Sequence, residues 1–73
     1  MNNYIQIDPQ ICGGKPVIRG TRIMVKNILG MVAGGYTRDQ IVTAYPELSM
    51  DQIQGTLEYA AEIIDEEQVI ANA

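Results

Sequence analysis

Two helix-start signals of the same kind stand close together in the second half of the chain, with a proline between them. Thr37 is followed three residues later by Gln40, and Ser49 is followed three residues later by Gln52. This is the capping-box spacing, at which a hydroxyl and an amide side chain bond each other's free backbone N–H groups. Because Pro46 cannot continue a helix, the sequence predicts two helices joined by a short turn.

A third helix is predicted just before this pair. Val25, Ile28, Leu29 and Val32 repeat at the helical period, and a glycine pair at 34–35 follows as a stop signal. The predicted second and third helices cover about 38–45 and about 50–67. The apolar face predicted for the third helix consists of Ile53, Leu57, Ala60, Ala61 and Ile64.

The N-terminal third of the chain predicts short extended pieces and turns. Tyr4 to Ile7 alternates, with Ile5 and Ile7 on one face, and Asp8-Pro9 begins a turn. Glycines then divide residues 11–23 into a small hairpin-like arm. The predicted fold is therefore mainly α, a three-helix helix-turn-helix-like unit preceded by a small N-terminal β arm. A generic small α bundle with two short loops fits the same pattern.

The whole chain predicts one domain. We expect the β arm over 1–23, the helical unit over 24–67 and an acidic, frayed tail over 68–73. A chain of 73 residues buries only about 60% of its unfolded surface, so self-association, as a homodimer, is expected.

Charge is distributed unevenly along the chain. Residues 1–38 carry five cations and one acid, a balance of +4, whereas residues 39–73 carry eight acids and no base, a balance of −8. These values sum to the formal net charge of −4. A net acidic chain is a poor generic binder of polyanions, but its basic half remains a candidate contact surface.

The residue inventory excludes most catalytic chemistry. The chain has no His and a single cysteine, Cys12, so it cannot by itself form a His-containing zinc site, a Ser-His-Asp triad or an internal disulfide. Gly13-Gly14-Lys15 lacks the spacing of a phosphate-binding loop, and a proline follows it. We expect no enzyme, metal or cofactor. With no leader-like or membrane-spanning segment, a reduced, cytoplasmic protein is expected.

The basic segment 15–26 is the candidate for contact with phosphates. Its cations favour contact with DNA or with an acidic partner, although Arg22 could instead reach a carboxylate of the chain's own third helix, such as Glu58 or Glu62. That helix would occupy the position of a DNA-reading helix but offers mainly carboxylates. The predicted DNA contacts are Lys15, Arg19, Arg22, Lys26, Gln52 and Gln54.

The C-terminal stretch has more apolar residues than a three-helix core requires. Read as an amphipathic acidic segment, it predicts a dimer seam or a helix that lies in another protein's groove; the other interpretation is a solvated terminus. The predicted partner interface consists of Glu58, Tyr59, Glu62, Ile63, Asp65, Glu66, Glu67 and Ile70.

Residues 4–62 resemble a known family, the domain of unknown function 433. The residues that carry the resemblance are the run 11–23, with its Gly-Gly-Lys-Pro and Gly-Thr-Arg elements, then Val25, Ile28-Leu29, Gly35-Tyr36, Ile41, Tyr45-Pro46-Glu47-Leu48, Ile53, Leu57 and Tyr59-Ala60. The resemblance implies a homeodomain-like three-helix fold. Met24 stands where the family commonly has proline, and Gly55 where it commonly has alanine. Since glycine costs a helix about 1 kcal/mol relative to alanine, Gly55 predicts a locally looser third helix.

The same resemblance implies a function. Family members look like antitoxins encoded beside a PIN-like ribonuclease, which they neutralise while repressing their own operon. The resemblance implies no catalytic residue. It implies that the motif residues 13–16 and 20–22 belong to the scaffold and to a contact surface. The expected function is therefore an antitoxin-like module of a toxin–antitoxin pair that binds a PIN-like toxin. The alternative is a dimeric DNA-binding repressor that contacts operator DNA.

Overall fold

The computed structural model describes the backbone of residues 2–71 and the side chains of residues 2–64. In this part of the chain, three helices pack against one another, and a two-stranded antiparallel sheet contacts the third of them. The elements are β1 (Ile5–Gln6), β2 (Val17–Ile18), α1 (Val25–Ala33), α2 (Arg38–Ala44) and α3 (Met50–Ala71), with a 3-10 turn over Cys12–Gly14. The predicted mainly α fold, three helices preceded by a small N-terminal β arm, is confirmed.

Both predicted capping boxes are present. At the start of α2 the Gln40 N–H donates to Thr37 Oγ1 at 3.1 Å, and the Thr37 N–H donates to Gln40 Oε1 at 2.8 Å. At the start of α3 the Gln52 N–H donates to Ser49 Oγ at 3.2 Å, and the Ser49 N–H donates to Gln52 Oε1 at 2.7 Å. Each box satisfies two backbone donors that the helix itself leaves free.

Two helix ends differ from the prediction. Helix α2 ends at Ala44, one residue early, because the residue before Pro46 is disfavoured in the helical region. Helix α3 continues to Ala71, so residues 68–71 of the expected frayed tail are helical. Residues 72 and 73 lie outside the described part of the chain.

Helix α1 ends at the predicted glycine pair. The Tyr36 N–H donates to the Met31 carbonyl and the Gly35 N–H to the Val32 carbonyl, both at 3.0 Å. This is the Schellman pattern, which needs a residue with positive φ, and Gly35 has a φ of 90°. Helix α1 therefore ends at the glycine pair that predicts its end.

The core consists of two neighbouring clusters of buried apolar side chains. The larger contains Ile18, Ile28, Ile41, Leu48 and Ile53 and so joins β2, all three helices and the turn between α2 and α3. The smaller contains Ile5, Val25 and Tyr59 and joins β1, α1 and α3. The β arm is therefore part of the core.

The N-terminal strand is shorter than predicted. Only Ile5–Gln6 is a strand, paired antiparallel with Val17–Ile18, and Ile7 is 48% exposed although the alternation predicts it on the face of buried Ile5. The chain turns immediately afterwards, because the Asp8 carbonyl accepts from the Ile11 N–H at 2.9 Å. A strand that ends before Ile7 cannot hold that side chain against the core.

The buried face of α3 also differs from the prediction. Ile53 is fully buried as expected, but Ala61 and Ile64 are exposed, and Thr56 and Tyr59 are buried instead. Thr56 tolerates burial because its hydroxyl donates to the Gln52 carbonyl at 2.9 Å. Tyr59 is 9% exposed and packs in the smaller cluster, so its assignment to the partner interface is wrong.

Gly55 lies in contact with the N-terminal segment. A Cβ at this position would lie 2.5 Å from Cδ2 and 2.9 Å from Cβ of Tyr4, so the Tyr4 side chain rests directly on the helix backbone. The Asn2 side-chain amide donates to the Gly55 carbonyl at 2.7 Å. We call these contacts of Asn2 and Tyr4 with Gly55 the N-terminal clip. The glycine that predicted a looser helix therefore makes room for a tertiary contact.

Candidate functional sites: a basic groove and an exposed helix end

An open groove of about 680 Å3 lies between the β arm and the start of α3. It is lined by residues 19–23 of the β arm, by Glu47 of the turn before α3 and by Gln52 of α3. We call it the basic groove. It brings together three predicted DNA contacts, Arg19, Arg22 and Gln52, although Gln52 stands far from the two arginines along the chain.

A tight turn holds the arm side of the basic groove. The Ile18 N–H donates to the Ile23 carbonyl at 2.9 Å, and Gly20 has the positive φ of 80° that such a turn requires. The Thr21 hydroxyl donates to the Ile18 carbonyl at 2.7 Å and accepts from the Ile23 N–H at 3.0 Å. The Gly-Thr pair therefore sets the backbone path between the two arginines.

The Arg19 side chain is anchored to the first strand. Its Nε donates to the Asn3 carbonyl at 2.8 Å, and its Nη2 donates to the Ile5 carbonyl at 3.1 Å. The Tyr4 carbonyl between them accepts from the Arg19 backbone N–H at 2.8 Å and therefore faces β2. Because carbonyls alternate along a strand, Arg19 satisfies the two that point away from the sheet. Its guanidinium retains three further N–H donors.

Arg22 has an exposed side chain on a fixed backbone. The Cys12 thiol donates to the Arg22 carbonyl at 3.6 Å, which ties the 3-10 turn to the groove and gives the half-buried cysteine a structural contact. The carboxylate that shares the groove with Arg22 belongs to Glu47. Glu47 is not among the predicted site residues, because nothing in its local sequence shows that the α2–α3 turn faces the arm.

Gln52 and Gln54 differ in position and in hydrogen bonding. Gln52 is half-buried and lines the basic groove, and its Oε1 accepts from the Ser49 N–H in the capping box. Gln54 lies outside the residues that line the groove, and its Nε2 donates to Glu58 Oε1 at 3.2 Å. Lys15 and Lys26 are exposed and also lie outside that lining. The structure therefore gathers half of the six predicted DNA contacts.

The described end of α3 presents a second candidate surface. Beyond buried Tyr59 the helix exposes Ile63 by 37% and Ile64 by 57%. Ile63 follows Thr56 by seven residues and Ile64 follows Ala60 by four, so both continue the side of α3 that packs earlier against the core. We call residues 61–71 the α3 extension. Glu62 within the extension and Glu58 just before it are both exposed.

Part of the predicted partner interface lies outside the described side chains. Asp65, Glu66, Glu67 and Ile70 belong to the helical backbone of α3, and their side-chain positions are not described. Among the described residues, no three His, Cys, Asp or Glu side chains come together as metal ligands would. In the same part of the chain, every helix is too short or too polar to span a membrane.

Comparison with known proteins assigns the chain to a family. Residues 5–60 match the family model for Protein of unknown function (DUF433). The chain belongs to this family. The match includes β1, the basic groove and α3 as far as Ala60, so both core clusters lie within the matched region. Met24, where proline is common, has a φ of −77°, which a proline would also adopt.

A solved structure and a curated relative support the assignment. The crystal structure of a DUF433 member from Anabaena variabilis is similar with a TM-score of 0.80 and 30% identity, over 94% of this chain and 69% of that one. The uncharacterized protein y4eO of Sinorhizobium fredii is 38% identical over 52 residues, which cover 71% of this chain. This match covers only 24% of that relative's length, about a quarter.

Proposed function

We propose that this protein is a non-enzymatic interaction module, the antitoxin-like member of a toxin–antitoxin pair, which binds and neutralises a PIN-like ribonuclease toxin through the α3 extension. The observation that carries the proposal is the exposure of Ile63 and Ile64 at the end of a helix whose first half is packed. Two large aliphatic side chains on the continuation of a buried helix side are typical of a helix that docks into a partner's groove.

Charge supports the same partner. A ribonuclease presents positive charge to RNA, and the acids at this end of α3 complement it. Glu58 and Glu62 are exposed, and Asp65, Glu66 and Glu67 follow in the sequence without any base. An acidic helix with an apolar side therefore combines electrostatic attraction with burial of aliphatic surface.

The test is to tag the chain in its own operon, determine by mass spectrometry whether a PIN-like ribonuclease co-purifies with it, and measure affinity and RNA cleavage for that pair. The variant Ile63→Asp/Ile64→Asp should weaken the complex by about 100-fold, because each substitution places a charge in an apolar contact. Val32→Asp is the matched control, since Val32 is 39% exposed but lies on α1. We expect the control to bind within about threefold of wild type.

A second set of variants tests the charge argument. Replacing Asp65, Glu66 and Glu67 by Asn and Gln should weaken the complex and flatten its salt dependence together. Wild-type protein that fails to bind or inhibit the PIN-like protein contradicts the antitoxin function. A complex that the Ile63 and Ile64 substitutions leave unchanged contradicts the α3 extension as its binding surface.

A second candidate function is binding of operator DNA as a homodimeric autorepressor. The observation that favours it is the basic groove, in which Arg19, Arg22 and Gln52 converge from distant parts of the chain. A dimer would double the cations that face DNA, including exposed Lys15 and Lys26. The logarithm of the DNA association constant should fall linearly with the logarithm of the salt concentration, with a slope of about −0.9 for each phosphate neutralised. A salt-independent affinity contradicts this function.

A further inference from the structure

We propose that the basic groove binds one phosphate group of a DNA backbone and does not read a base, with Arg22 and Gln52 as its donors and Glu47 as a built-in opposing charge. This inference rests on the second candidate function and specifies how that function would work. The proposal is based on the residues that line the groove and on the hydrogen bonds that their groups make. These residues lie far apart in sequence, so local sequence patterns do not show that they share a groove.

The capping box determines what Gln52 offers to a ligand. Its Oε1 accepts from the Ser49 N–H at 2.7 Å, which holds the amide in one orientation and leaves Nε2 as the free group. A glutamine recognises adenine through a bidentate contact that needs both its amide oxygen and its amide nitrogen. With one lone pair of the oxygen engaged and the amide held in this orientation, Gln52 presents Nε2 as a fixed donor, which suits an acceptor such as a phosphate oxygen.

The two arginines contribute donors of different mobility. Arg19 is held by the Asn3 and Ile5 carbonyls, so its guanidinium acts as a fixed positive charge beside the groove. Among the described residues, Arg22 is held only through its backbone carbonyl, so within that part of the chain its guanidinium is available to a ligand. Both offer N–H donors only, and an oxyanion satisfies several such donors at once. A phosphate therefore satisfies this donor set, and the guanine edge, whose N7 and O6 are also acceptors, is the alternative that the GC-rich duplex tests.

Glu47 opposes binding at the same place. It lies in the groove with Arg22, and a carboxylate near a bound phosphate lowers affinity by like-charge repulsion. When no ligand is bound, the Glu47 carboxylate is itself the negative charge in the groove. We infer that Glu47 keeps the groove from retaining small anions while allowing a phosphate that is held by the rest of a DNA contact.

The experiment measures DNA affinity for full-length variants on an AT-rich and a GC-rich duplex over a salt series. Arg22→Gln should weaken binding about tenfold on both duplexes and reduce the salt slope by about one. Arg38→Gln is the matched control, because Arg38 is exposed at the start of α2 and lies outside the groove lining. Glu47→Gln should strengthen binding about threefold.

The two capping boxes supply a matched test of Gln52. Gln52→Glu and Gln40→Glu each keep an oxygen acceptor for the cap and add one negative charge, but only position 52 faces the groove. We expect Gln52→Glu to weaken DNA binding about tenfold and Gln40→Glu by less than about twofold. Circular dichroism should show the same helix content in both variants.

The outcomes separate this inference from the function on which it rests. Wild-type protein that binds neither duplex contradicts the DNA-binding function, and a titration of the Glu47→Gln variant with inorganic phosphate then decides the groove alone, because this variant lacks the opposing charge. Saturable shifts of the Gln52 side-chain resonance that Arg22→Gln abolishes would support the phosphate site, and their absence would overturn it. If DNA binds but Arg22→Gln behaves like Arg38→Gln, the site is wrong. A loss confined to one duplex would show base reading and also overturn it.

Discussion

The two ends of α3 have opposite relations to the rest of the molecule. At its start, the helix is fixed by the capping box of Ser49 and Gln52, by burial of Ile53 and by the N-terminal clip on Gly55. At its described end, Ile63 and Ile64 are exposed. The helix is therefore part of the packed scaffold over its first turns, whereas Ile63 and Ile64 form exposed surface.

This difference indicates how a small chain combines a stable core with a large exposed surface. Because 73 residues cannot bury every apolar side chain, Ile63 and Ile64 beyond the core are exposed. The fixed end holds the basic groove at the same time. The same helix thus connects two proposed binding surfaces that differ in charge.

The largest expected difference between the two ends is in the free energy of unfolding. Ile53→Ala should lower it by about 3 kcal/mol, because the fully buried side chain leaves a cavity among Ile18, Ile28 and Ile41. Ile64→Ala should change it by less than about 0.5 kcal/mol, since Ile64 is 57% exposed.

Urea unfolding followed by circular dichroism measures both values. The exposed variant serves as the control, because it removes the same atoms from the same helix. Equal losses at the two positions would mean that the α3 extension is packed in the free protein, and the comparison between the two ends would fail.

The next effect concerns the N-terminal clip. Gly55→Ala should destabilise the protein by about 2 kcal/mol, because the new Cβ would overlap the Tyr4 side chain. Gly30→Ala is the matched control. Gly30 lies within α1, and a methyl group there would meet no atom within 4 Å beyond its own helix backbone, so alanine should stabilise by up to about 1 kcal/mol.

A double-mutant cycle checks the cause. In a Tyr4→Gly background every clashing side-chain atom, including the Cβ at 2.9 Å, is absent, so Gly55→Ala should become neutral or stabilising by up to about 1 kcal/mol. If Gly55→Ala destabilises equally with and without Tyr4, the glycine is required for another reason and the clip does not fix this end of α3.

Local signals in the sequence predict the helices well. The capping residues Thr37 and Ser49 and the glycine pair at 34–35 act through hydrogen bonds between near neighbours, so their spacing alone specifies where helices begin and end. Helix length at the C-terminus is not predictable in this way, since no stop signal marks the end of α3. Packing between distant segments requires the structure.

The basic groove and the clip illustrate that limit. Arg19 binds Asn3 and Ile5 carbonyls, and Tyr4 rests on Gly55, contacts whose partners lie far apart in sequence. The one available signal for the clip is a glycine inside a helix, which indicates a close approach as readily as a loose turn. The wrong assignment of Tyr59 has the same cause, because β1 covers it and a helical pattern cannot show which side a strand will cover.

The next expected change in unfolding free energy is smaller and concerns the two capping boxes. Thr37→Ala and Ser49→Ala should each lower the free energy of unfolding by about 1 kcal/mol, because each removes the acceptor for one backbone N–H. Only Ser49→Ala should also disturb the Gln52 amide in the basic groove. Thermal unfolding measures the first effect, and the Gln52 side-chain resonance measures the second. A change of that resonance in Thr37→Ala would contradict the expectation that only the capping box of α3 affects the groove.

The smallest expected effect lies between the two ends, at Glu58. Its Oε1 accepts from the Gln54 amide at 3.2 Å in an exposed contact between residues four apart. Such pairs stabilise a helix by about 0.2–0.5 kcal/mol, so Glu58→Ala should leave the unfolding free energy almost unchanged. The same substitution should weaken binding to the PIN-like partner if Glu58 belongs to its interface. A loss of more than about 1 kcal/mol in stability would assign Glu58 to the scaffold, and the boundary between the fixed and available parts of α3 would then lie beyond it.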